Sequence, residues 1–210
     1  MDYWNDSTDA TINIAILRRP AIVPVTDPRY AGAILVNPGG PGGSGVALVA
    51  GAGQGLQSVV DSAGTDDEDG KFFDILGFDP RGIGLSSPQI HCLANEGITH
   101  SWTLRMGEEG MLTSSDAAFG RLWSMVHAIG NSCASIDHDD IKRYITAASV
   151  ARDMLEIVEA HGQWRERETI NLLKGSGRST QPSVGTSTYV YKPGKEKIQY
   201  WGMLAFGSIL

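Results

Sequence analysis

The 210 residues are 41% hydrophobic and 20% charged, the balance of a folded domain, which excludes wholesale disorder. With 17 Lys+Arg against 24 Asp+Glu the net charge is −7, and the sequence shows no basic cluster of the kind that grips nucleic acid, so a nucleic-acid partner is not expected. No stretch nears the roughly 20 apolar residues that a bilayer span requires.

The start, Met1-Asp2-Tyr3-Trp4-Asn5-Asp6, is acidic and polar and lacks the pattern of a signal peptide. At face value it reads as cytosolic. Asn5-Asp6-Ser7 forms a sequon of a kind that also arises by chance. Thr11 to Leu17 alternates polar and apolar residues, as a half-buried strand does. Gly32 to Val36 is a short apolar run that fits a strand buried on both faces. A glycine-rich turn comes next. Val46 to Val60 reads as a helix despite Gly51, Gly53 and Gly55, each costing about 1 kcal/mol there. Asp66 to Gly70 reads as a solvated turn, because a calcium loop needs wider ligand spacing. Phe72 to Phe78 is the second buried strand.

Residues 89 to 142 are weakly periodic and read as irregular, with one helix near Asp116 to Ile129. Asp137-His138-Asp139-Asp140 reads as the start of the next helix and not as a metal site. Thr146 to His161 is the clearest helix, with Thr146 suited to cap it and Gly162 to end it. An insertion is expected from about residue 164 to 195, rich in Ser, Thr and Gly from 174 onward. Ile198 to Trp201 is the last strand. Strands alternating with helices argue an α/β protein with a largely parallel sheet.

The turn Asn37-Pro38-Gly39-Gly40-Pro41-Gly42-Gly43-Ser44-Gly45 carries almost no side chains, so its amide N–H groups face whatever binds there. A phosphate and the oxyanion of an acyl transfer are both candidates. Gly40 to Gly45 also fits G-x-G-x-x-G, with Asp61 about 20 residues on, the signature of dinucleotide binding. Pro38 and Pro41 remove donors from such a loop, and Asp61 would have to end a strand. The two cysteines, Cys92 and Cys133, read either as free thiols or as a disulfide. As a disulfide they would be worth about 4 kcal/mol and would imply an oxidising compartment.

The segment Phe78-Asp79-Pro80-Arg81-Gly82-Ile83-Gly84-Leu85-Ser86 decides between the readings. Gly82 and Gly84 permit positive φ, and Ser86 can cap a helix after it. A dinucleotide fold gives no reason for this segment. Together with the glycine-rich turn it resembles an α/β-hydrolase of the tripeptidyl aminopeptidase-like branch, related to proline iminopeptidases. Met1-Asp2-Tyr3, Tyr144 to Gly162, and Gln199 to Gly202 resemble further segments of that family.

The resemblance implies a serine hydrolase acting on short peptides or esters, without cofactor or metal. It makes Gly39, Gly40, Gly42 and Gly43 the oxyanion loop, with the N–H groups near Gly40 and Gly42 as donors. It makes Asp79, Arg81, Gly82 and Gly84 a structural motif, and Cys92 and Cys133 a disulfide. The nucleophile of this fold sits in G-x-S-x-G on a strand-to-helix turn. Here the segment is Gly202-Met203-Leu204-Ala205-Phe206-Gly207-Ser208, so Leu204 or Ala205 takes the serine's place, depending on the register. Histidines 91, 100, 127, 138 and 161 all precede it, whereas the triad acid and histidine should come after. The expectation is a partial α/β-hydrolase domain over 1–210, truncated and inactive alone. A hydrolase-like binding module is the alternative, with a dinucleotide-binding protein behind it.

Overall fold

A computed structural model describes residues 3, 11–40, 42–64, 68–135, 141–175 and 191–203. They fall into two compact units. Residues 1–88 and 144–210 form the first, and residues 89–143 the second.

The first unit is built on a four-stranded mixed sheet. Strands β1 (Ile16–Arg19), β2 (Tyr30–Asn37), β3 (Phe72–Phe78) and β4 (Tyr200–Gly202) lie in the order β1-β3-β2-β4. β2 runs parallel to both β3 and β4, whereas β1 is antiparallel to β3. Helices α1 (Gly45–Val60) and α4 (Ala147–Gly175) cover the sheet. Side chains alternate across each strand, which is why the apolar runs of β2 and β3 serve both faces. Val36 and Ile75 pack with Val49 and Leu56 of α1. Their neighbours Leu35 and Leu76 pack with Ile157 and Val158 of α4.

Two glycines set the distance between α1 and the sheet. A Cβ on Gly77 would strike the carbonyl oxygen of Gly45, and one on Gly45 would strike the Phe78 backbone. The first turn of α1 therefore rests directly on β3. Gln57, buried on α1, donates to the carbonyls of Pro20 and Phe73 at 2.9 and 3.0 Å and accepts from Arg19 Nε at 2.8 Å. Those bonds satisfy a polar side chain that burial would otherwise penalise.

The expected strand over Thr11 to Leu17 is displaced. Only Ile16–Arg19 joins the sheet, while Asn13 forms an isolated bridge to Ser87. Thr146 caps α4 as expected, accepting from Ser149 N at 3.2 Å. Gly162 does not end the helix. It is buried, and a Cβ there would lie 2.7 Å from the Tyr191 ring and 2.9 Å from the Glu196 side chain, so glycine is needed for packing. Of the insertion expected from about 164 to 195, residues 164–175 are the last turns of α4. Residues 176–190 lie outside the described residues.

The second unit holds α2 (Glu96–Glu109) and α3 (Ala118–Ser135), and the Cys92–Cys133 disulfide ties the segment before α2 to α3. The helix expected over 116–129 is α3, which starts two residues later and ends six residues later. α2 was not expected at all. It buries no residue, so it has no apolar stripe to read. Its signals are local: Asn95 accepts from Ile98 N at 2.9 Å at the start, and Gly110, with φ 71°, stops it. Asp137 to Asp140, Asn5 and residues 65–67 lie outside the described residues. Among the described residues no helix is long and apolar enough to cross a membrane, and no group of three His, Cys, Asp or Glu could hold a metal.

Candidate functional site

The glycine-rich turn leaves the carboxyl end of β2 and enters α1. Asn37, the last residue of β2, bends it by accepting from Gly39 N through Oδ1 at 2.8 Å. Gly39 and Gly42 have φ of 89° and 80°, which side chains disfavour. A Cβ on Gly43 would collide with the Gly39 carbonyl, so the two ends of the turn touch. The N–H of Gly39 is thus used to shape the turn. Among the described residues no hydrogen bond takes up the N–H groups of Gly40 and Gly42, and both residues are exposed.

Ser44 caps α1, accepting from Ala47 N at 3.0 Å and donating to Asp79 Oδ1 at 2.7 Å. Asp79 is fully buried just past β3. Its Oδ1 also accepts from Val46 N at 3.1 Å, and its Oδ2 accepts from Leu85 N at 2.9 Å. Burial works against this carboxylate. The N–H of Leu85, the Ser44 hydroxyl and the first N–H groups of α1 outweigh burial and hold its pKa below the ordinary aspartate value. Asp79 therefore stays ionised, where it counters the positive end of α1. It ties the glycine-rich turn to the 79–86 turn, which closes around it. Gly84 has φ 55°, and a Cβ there would strike Asp79 Oδ2.

Ser86 does not cap a helix, as the sequence suggested. It is buried, and its hydroxyl donates to the Asp79 carbonyl at 2.6 Å and accepts from Ala15 N at 2.9 Å. Arg81 turns away to α4. Its Nε and Nη2 meet Asp153 Oδ2 and Oδ1 at 2.5 and 2.7 Å, with both side chains almost fully buried. Tyr3 donates to the same carboxylate at 2.7 Å. Partial burial and Asp153 push its pKa up to about 12. Arg81 and Asp153 are thus structural. Arg81 fastens the 79–86 turn to α4.

The partner of the glycine-rich turn is the end of β4. The parallel register pairs Asn37 with Gly202, and Met203 N donates to the Asn37 carbonyl at 2.9 Å. Gly202 and Met203 therefore lie beside Asn37, where the turn begins. Leu204, Ala205 and Ser208 lie outside the described residues.

Asp61 does not end a strand. It comes directly after α1, and its Oδ1 accepts from Phe73 N at 2.9 Å. The acid that a dinucleotide site needs at a strand end is thus misplaced. His161 sits in a buried cluster that the sequence did not reveal. Its Nε2 lies 2.9 Å from Asp74 Oδ2, which also accepts from Tyr30 Oη at 2.8 Å and Arg18 Nη1 at 3.1 Å, while Oδ1 accepts from Ala21 N at 2.7 Å. One carboxylate so joins β1, β2, β3 and α4. A lone aspartate inside an apolar strand was the available signal.

No family model matches the chain. Its relatives include hydrolases. It is 33% identical over 141 residues to a putative hydrolase of Mycobacterium bovis and to carboxylesterase B of Mycobacterium tuberculosis, over 67% of this chain and 24% of each relative. It is 41% identical over 92 residues to the serine protease Hip1 of M. tuberculosis, over 44% of this chain and 15% of that one. A tripeptidyl aminopeptidase of Streptomyces lividans is 42% identical over 62 residues, 30% of this chain and 10% of that protein. The chain thus has α/β-hydrolase-like relatives, and its match spans about a quarter of the length of the first two.

Proposed function

We propose that these residues form the amino-terminal part of an α/β-hydrolase domain and that the Gly39–Gly43 turn is its oxyanion loop. The whole protein would act on short peptides, as an aminopeptidase does, or on esters. The parallel pairing of Asn37 with Gly202 supports the reading, because it brings the end of β4 to the residue from which the glycine-rich turn starts. In an intact relative a serine on that segment attacks the carbonyl carbon and a histidine takes its proton. The two N–H groups then hold the oxygen as charge develops on it.

In this chain the segment reads Gly202-Met203-Leu204-Ala205-Phe206-Gly207-Ser208. Neither leucine nor alanine forms an acyl-enzyme. We therefore propose that the 210 residues bind near the turn without cleaving. The test is turnover of aminoacyl and tripeptidyl chromogenic substrates, with a fluorophosphonate label as a check for an active serine. The expected result is neither turnover nor label. Turnover well above buffer that disappears in Ser208→Ala would show a displaced but working serine and refute the inactivity.

A further inference from the structure

Asp79 is a buried charge without a counter-ion. It is 0% exposed, and its carboxylate is held by neutral donors: the Ser44 hydroxyl and the N–H groups of Gly45, Val46 and Leu85. Among the described residues no Lys, Arg or His forms an ion pair with it. An isolated buried carboxylate is costly. The amino end of α1, with its partial positive charge, offsets that cost here. The same N–H groups would otherwise suit a phosphate. Asp79 fills that place from within the chain.

The glycine-rich turn closes next to this carboxylate. A Cβ on Gly43 would strike the Gly39 carbonyl, and the residue after Gly43 is Ser44, whose hydroxyl donates to Asp79 at 2.7 Å. Two kinds of attraction on the turn are thereby separated. The exposed N–H groups of Gly40 and Gly42 remain as short-range donors. The longer-range field of α1, which helps to hold a standing anion, is opposed by a negative charge that sits out of reach of salt and water.

We propose that Asp79 makes the turn selective for charge. It admits a neutral carbonyl, whose oxygen draws on the two N–H groups as charge develops, and it repels ligands that arrive as anions. The same repulsion drives off the carboxylate left when an acyl group passes to water. The inference rests on the turn being a ligand site, as proposed above, and adds the charge of what that site accepts.

The amide resonances of Gly40 and Gly42, followed by NMR in the full chain, test this with three probes: trialanine amide, trialanine as the free acid, and inorganic phosphate. The neutral amide should shift both resonances saturably, the free acid should bind at least about tenfold more weakly, and phosphate should leave both unmoved. Asp79→Asn, whose spectrum also reports whether it folds, should narrow the gap between the two peptides and gain a saturable response to phosphate. Saturable phosphate binding at these amides in the wild type, free acid binding as tightly as the amide, or unchanged selectivity in folded Asp79→Asn would each overturn the proposal. The wild-type comparisons decide it even where the variant does not fold. No shift with either peptide would refute the turn as a peptide site, and the phosphate response of the two proteins would then decide the role of Asp79.

Discussion

Replacing Asp153 by alanine should come close to unfolding the first unit. Its carboxylate takes two guanidinium bonds from Arg81, and the Arg81 and Asp153 side chains are 1% and 2% exposed. At such burial the loss is not that of a surface ion pair, which is worth about 0–1 kcal/mol. Removing one partner leaves the Arg81 charge inside the protein without its carboxylate, and Tyr3 loses its acceptor as well. The expected cost is about 3–5 kcal/mol, a large share of the roughly 5–15 kcal/mol typical of a domain. Urea denaturation followed by tryptophan fluorescence measures it as a fall in midpoint at unchanged slope. The double variant Arg81→Met with Asp153→Leu removes both charges and should recover most of the loss. A loss below about 1 kcal/mol in Asp153→Ala would show that water reaches the pair and that the 79–86 turn is not fastened to α4 in this way.

Other perturbations test other joints. Asp79 has its pKa lowered in the fold, so its contribution is present above the unfolded aspartate value of about 3.9 and is lost as pH falls through the lower folded value. Acid unfolding should therefore be shallower below about pH 4 in Asp79→Asn, and an unchanged acid limb would contradict this network. Gly77→Ala should leave little soluble protein, because its methyl group meets the Gly45 carbonyl; soluble expression at the wild-type level would show that α1 can lift away from β3. Reduction of the Cys92–Cys133 disulfide should destabilise residues 89–143 by up to about 4 kcal/mol, read as faster hydrogen exchange in α2 and α3 after dithiothreitol. Leu204→Ser and Ala205→Ser should each remain without turnover on the chromogenic substrates, as the proposed inactivity requires. Activity in either would place a working base for that serine within these 210 residues.

What the sequence revealed depended on how local each signal was. β3 matches its apolar run residue for residue, and α1 survives three interior glycines, Gly53 among its buried residues and Gly51 and Gly55 exposed, because Val49, Leu56 and Gln57 bury its sheet-facing side. The two glycine-bearing turns were readable because their conformations admit few other residues. α2 was invisible because nothing on it is buried, and Gly162 misled because its reason is a contact with Tyr191 and Glu196, about 30 residues away. Still greater separations hid the Arg81–Asp153 and Asp74–His161 pairs, whose members lie 72 and 87 residues apart. At the candidate site, the residues of the turn were legible. The inward use of the Gly39 N–H, and the pairing that sets Gly202 beside Asn37, were not.

The assignment of the turn is tested most directly by a chimera. Residues 1–202 of this chain would be joined to the part of the Streptomyces lividans tripeptidyl aminopeptidase that lies beyond the equivalent strand. A folded chimera is expected to hydrolyse tripeptidyl substrates. In Gly40→Ala the new methyl group lies 2.9 Å from Gly42 N and obstructs one donor. It should lower kcat about 10²–10³-fold with KM little changed, as loss of one oxyanion donor does. A folded chimera with no turnover, or one whose kcat ignores Gly40→Ala, would contradict the claim that this turn holds the oxyanion.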